Sequence, residues 1–98
     1  MLAPFQEIQD LENLRAYVNS VLCFYNQLEV DAFAMTQRLL MRGGKPCGMF
    51  FCVHGPRSTQ FTAVWETDRN TILFYDSLGE RFHKTQLVDA PQLELCTA

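Results

Sequence analysis

Turn-forming clusters punctuate the second half of the chain at nearly even intervals: Gly43-Gly44-Lys45-Pro46, Gly55-Pro56-Arg57-Ser58, Thr67-Asp68-Arg69-Asn70 and Ser77-Leu78-Gly79-Glu80. Glycine supplies positive φ, proline presets the first turn position, and Asn and Asp bond nearby backbone, so each cluster has its own means of reversing the chain. Spacings of 10 to 12 residues leave room only for short strands, which predicts a meander with strands at about 35–42, 47–54, 59–66, 71–76 and 81–87. Residues 59–67 and 71–75 are rich in Thr, Phe, Val, Trp, Ile and Tyr, the types that suit a pleated surface.

Within this pattern, 45–58 is the expected central strand and its exit turn. Cys47, Met49, Phe50, Phe51, Cys52 and Val53 form an apolar run of the length of a strand buried on both faces. The segment 33–42 has a helix-forming composition, but its helical stripe is poor. Met35, Gln37, Leu39 and Met41 alternate with Thr36, Arg38, Leu40 and Arg42, and Gly43-Gly44 suits a tight hairpin, so we read it as strand.

Ahead of the meander, Phe5, Ile8, Leu11, Leu14, Val18, Val21, Leu22, Tyr25 and Leu28 recur at threes and fours, with Glu7, Asp10 and Glu12 in the opening turns. This predicts an amphipathic helix over about 4–28, with Pro4 tolerated in its first turn and acids favoured there by the helix dipole. The tail, 88–98, is expected to be irregular. The fold class is therefore α+β: one long N-terminal helix packed on a four- or five-stranded antiparallel β-meander. At 98 residues it makes a single domain, able to bury roughly two thirds of its unfolded surface.

A hydrophobic fraction of 48% and a charged fraction of 19% are those of a globular protein, not of a disordered one. The net charge of -3 gives no global attraction to nucleic acid or membrane. No basic region precedes an apolar stretch at the N-terminus, and no run approaches the roughly 18 apolar residues of a membrane span, so a cytoplasmic protein is expected. The four cysteines are sparsely spaced and are expected to be reduced thiols, some of them packed as small hydrophobes.

One helix can cover only one face of a sheet. Strand alternation puts Met49, Phe51 and Val53 opposite to Phe50, Cys52 and His54, Phe61, Ala63 and Trp65 opposite to Thr62, Val64 and Glu66, and Ile72 and Phe74 opposite to Leu73 and Tyr75. Both faces thus carry large apolar groups. A helix of about 35 Å on strands of about 23 Å would also overhang its bed. Together these features predict association, most simply as a homodimer or higher homo-oligomer. The candidate interface or core residues are Phe50, Cys52, Phe61, Trp65 and Phe74, whose faces the sequence leaves open. In the competing arrangement the tail, with Val88, Leu93 and Leu95, folds over the second face of a monomer.

Candidate chemistry is thin. Cys47, Cys52 and His54 are the only metal-ligand types clustered in sequence, and alternation leaves only Cys52 with His54 on one face, so no metal, cofactor or catalytic residue is assigned. His54, Arg57 and Ser58 surround one turn and are the candidate ligand or anion residues, although the turn lacks the spacing of a phosphate loop. Arg38, Arg42, Lys45, Arg57, Arg69, Arg81 and Lys84 interleave with Phe61, Trp65, Phe74, Tyr75 and Phe82, a pattern that single-strand RNA binders use, but a pI near 5.2 weighs against it. Asp76 and Glu80, like Glu66 and Asp68, flank turns and are expected to build them.

The sequence therefore points to a small, non-enzymatic protein-association domain that self-associates through the second sheet face and the helix. The alternative is a binding module for a small ligand or single-stranded RNA in the concavity between sheet and helix. An enzyme ranks third.

Overall fold

The computed structural model describes residues 5–7, 10–30 and 32–89, with 5–7 and 88–89 described as backbone only. Strand β1 (Phe5–Glu7) leads into helix α1 (Leu11–Tyr25), and β2 (Met35–Arg42), β3 (Lys45–His54), β4 (Gln60–Glu66), β5 (Thr71–Tyr75) and β6 (Arg81–Asp89) follow. A short 3-10 turn, Pro56–Ser58, joins β3 to β4. The sheet order is β1-β6-β5-β4-β3-β2. Strands β2 to β6 form the antiparallel meander, and β1 adds to β6 in parallel.

The helix is shorter than its apolar stripe promised, at both ends. Asp10 caps it, its carboxylate accepting from the Asn13 backbone N–H at 2.7 Å, so the helix starts only at Leu11 and the 5–7 segment pairs as β1 instead. At the other end Gln27 adopts a left-handed φ of 58°, and Leu28 N–H reaches back to Cys23 C=O at 2.8 Å. That six-residue return bond is the Schellman closure. Fifteen residues span about 22 Å, a length the strands match, so the expected overhang does not exist.

Alternation assembles the core. Leu14, Val18, Val21 and Leu22 descend from the helix onto Met49, Phe51, Val53, Phe61, Ala63, Trp65, Ile72, Phe74 and Leu87, all buried in one cluster. The helix lies over β3 and β4. Two polar pairs drawn into this layer are satisfied, Tyr17 O–H and Thr85 Oγ1 lying 2.7 Å apart and Trp65 Nε1–H donating to Asn70 Oδ1 at 3.2 Å, whereas His83 Nε2 is buried without a hydrogen-bond partner among the described residues.

The turns use the mechanisms that their residues offer. Gly43 and Gly44 both take positive φ, 57° and 78°, and close the β2–β3 hairpin. Asp76 Oδ1 accepts from the N–H groups of Leu78 and Glu80, which makes it a turn builder. Gly48 serves a different purpose, since a Cβ there would run into the Trp65 carbonyl oxygen on the neighbouring strand. The tail's first two residues extend β6, and the rest of 88–98 lies outside the described residues.

Candidate functional site

Directly paired residues in an antiparallel sheet share a face. The register therefore writes out the face that α1 leaves open, row by row across β2, β3, β4, β5 and β6. One row runs Arg38, Phe50, Val64, Leu73 and Lys84, an apolar centre with a cation at either end. A second runs Thr36, Cys52, Thr62, Tyr75 and Arg81, and a third Leu40, Gly48, Glu66, Thr71 and Gln86. Phe50, Val64, Leu73 and Tyr75 are half-buried, and the Arg38 guanidinium stands 5.2 Å from the centre of the Phe50 ring.

This register divides the five candidate residues. Phe50 and Cys52 belong to the open face. Phe61, Trp65 and Phe74 point under the helix, at 8%, 0% and 0% exposure, and are core rather than interface. The same division leaves Phe50 and Tyr75 as the aromatics of the open rows. Val64 and Leu73, centre of the main row, were not singled out from sequence; alternation named their face, but only the register aligns them with Phe50.

The thiols and histidines are held separately. Cys52 is 5% exposed and burial pushes its thiol up, away from the thiolate a nucleophile or metal ligand needs. His54 Nε2 lies 3.0 Å from Thr36 Oγ1. Arg57 and Ser58 sit in the 3-10 turn with left-handed φ of 58° and 62°, and Thr59 closes that turn by bonding Pro56 C=O through its N–H and its hydroxyl. Among the described residues no hydrogen bond links His54 to Arg57 or Ser58. Nor do three His, Cys, Asp or Glu side chains gather into a metal-binding group among them. No helix in the described part is long and apolar enough to cross a membrane.

A second surface feature lies at the β2 edge. A groove of about 370 Å³ runs between the helix and the start of β2, lined by Glu12, Arg15, Ala16 and Asn19 from α1 and by Phe33 and Met35 from the strand side. Arg15 bridges the two elements, donating to Gln37 Oε1 and, at 2.9 Å, to Met35 C=O. Helical spacing puts residues 12, 15, 16 and 19 on one side of α1, facing this edge. Comparisons of the chain with protein-family models, curated proteins and solved structures find no match, and its function is read from its own geometry.

Proposed function

We propose that this domain works by association, pairing with a second copy of itself through the open face of the sheet. The reading rests on one observation: the helix covers a single face, and the other carries the continuous row Phe50, Val64, Leu73 with its cations, Arg38 and Lys84, at the two ends. A two-fold axis lays the apolar centre of this row on its copy and keeps the cations at the solvated rim, where salt screens the repulsion between them. Five strands about 4.8 Å apart and about 23 Å long present about 550 Å² per protomer, or about 1,100 Å² in the pair, just above the roughly 1,000 Å² that a specific interface needs. The dimer is accordingly weak and concentration-dependent. With the helix no longer overhanging, it contributes nothing to this contact. We place the domain in the cytoplasm, where thiols such as those of Cys47 and Cys52 stay reduced.

Light scattering coupled to size exclusion tests the pairing. The mass rises from 11.3 kDa toward twice that value as concentration passes through the micromolar range. Val64→Lys, on the face away from the helix, holds the protein monomeric and lowers its thermal midpoint at dilution by only a few degrees. A mass fixed at 11.3 kDa up to several hundred micromolar overturns the proposal.

A further inference from the structure

We infer that the outer edge of β2, together with the groove between β2 and α1, is a docking site for an extended segment of a partner protein in which apolar and acidic residues alternate. It shares Arg38 with the end of the open-face row but lies along the outer edge of the sheet, and does not depend on the pairing proposed above.

Backbone direction along β2 carries the inference. Ala34 C=O accepts from His54 N–H at 2.9 Å, so Ala34 faces β3. Alternation then turns Thr36, Arg38 and Leu40 toward β3, and Met35, Gln37 and Leu39 outward. Arg15, reaching Met35 C=O from the helix, agrees with that assignment. Because β2 ends the sheet, the N–H and C=O groups of Gln37 and Leu39 have no backbone partner among the described residues. A strand left open in this way is a template for an added one.

The groove makes this edge more than an unpaired ladder. An added strand's side chains would alternate between the two faces. Those on the helix side would fall toward the groove, beside Ala16, Phe33 and Met35, where the one acid, Glu12, and the one cation, Arg15, offset each other and Arg15 is already bound to Gln37 and to Met35 C=O, so an apolar group fits best. Those on the other side would lie next to Arg38, flanked by Thr36 and Leu40. Strand β2, Met-Thr-Gln-Arg-Leu-Leu-Met-Arg, has two arginines and no acid; Arg42 is held by Asp68 at 3.3 Å, so Arg38 is the cation that meets the incoming strand. An apolar side chain therefore suits one face of the incoming strand, and a carboxylate the other. A second copy of β2 is the poorer occupant, since it would bring two further arginines to the same edge.

Random ten-residue peptides displayed on phage and selected on the full chain supply the probes. The expected winners alternate apolar and acidic residues. When added to isotope-labelled protein, a winning peptide shifts the Gln37 and Leu39 amide signals and slows their hydrogen exchange. Proline is tolerated in an edge strand where its missing N–H points outward, so Gln37→Pro weakens binding about tenfold, the value of one backbone hydrogen bond, while Gln37→Ala, which keeps the N–H, does not. Arg38→Glu turns the selection toward basic peptides. If Gln37→Pro loses its thermal transition, the Arg38→Glu selection decides alone, and an unchanged preference overturns the site. So do an absence of enriched peptides, Gln37→Pro binding as tightly as the parent, and shifts confined to Phe50, Val64 and Leu73.

Discussion

Along β4, Phe61, Ala63 and Trp65 point toward the helix and are at most 8% exposed, whereas Thr62, Val64 and Glu66 point away and are only half-buried. The two sets come from one strand and differ only in the parity of their positions. On the helix side each group meets α1: Leu14, Val18, Val21 and Leu22 fill the space between the sheet's large side chains. On the open side there is no second layer among the described elements, and the apolar row stands between a cation on β2 and a cation on β6. One face therefore holds the fold together; on the other, Cys52 and Thr71 are buried, but the row Phe50, Val64 and Leu73 is only half-covered among the described residues.

The hardest test of this division is a pair of neighbouring truncations. Trp65→Ala removes a fully buried ring and leaves Asn70 Oδ1 without its donor, and it should cost about 3–5 kcal/mol in urea unfolding. Val64→Ala, one residue away on the opposite face, should cost less than about 1 kcal/mol when measured at dilution. Similar losses at the two positions would mean that the open face is covered within the monomer, and the association proposal would lose its basis.

The same parity explains what could be foreseen. The α+β class and the antiparallel meander followed from turn chemistry and alternation, which are local. Strand β2 came out at Met35–Arg42, where the alternation of Met35, Gln37, Leu39 and Met41 placed it against the helix-forming composition. The helix ends were misjudged because the apolar stripe runs on through Phe5 and Ile8 before, and Leu28 after, while the actual boundaries are set by a side-chain cap at Asp10 and a left-handed Gln27. Glutamine at that position gives no sequence signal of the kind glycine would. The candidate site was legible only in part. Parity separated Phe50 from Phe51, but which parity the helix would take, and the alignment of Phe50 with Val64 and Leu73, depend on pairing between distant strands. The β2 edge groove was not legible at all, because it needs Arg15 from the helix set against Gln37 on the strand.

A smaller effect separates the faces by pH. His83 pairs with Phe74 across β5 and β6, stacks on Tyr25 with ring centres 4.9 Å apart, and has its Nε2 buried without a hydrogen-bond partner among the described residues. Burial lowers its pKa below the ordinary 6.5, so the unfolded chain takes up the proton first as pH falls. The stability tied to the neutral ring is complete above pH 6.5 and declines as pH drops below it toward the lowered folded value. His83→Phe keeps the stacking and removes the titration, so its unfolding free energy should change less between pH 7.5 and 5.5 than that of the parent. Equal pH dependence in the two proteins would show that His83 is as well hydrated folded as unfolded.

The smallest expected effect also bears most directly on what the open face meets. The Arg38 guanidinium lies 5.2 Å from the Phe50 ring centre, a cation over an aromatic face at the end of the apolar row. At an exposed site such a contact contributes about 0.5–1 kcal/mol, and once desolvated about 2 kcal/mol or more. A double-mutant cycle on Arg38→Ala and Phe50→Leu isolates the pairwise part from the packing that each side chain supplies separately. Measured well below the dissociation constant of any dimer, the coupling should lie in the lower range. Above it, a second sheet face laid over Phe50 excludes water from the pair, and the coupling should rise toward the upper value. A coupling that stays constant across that concentration range would place Arg38 and Phe50 outside the contact, and would leave the edge of β2 as the surface on which Arg38 acts.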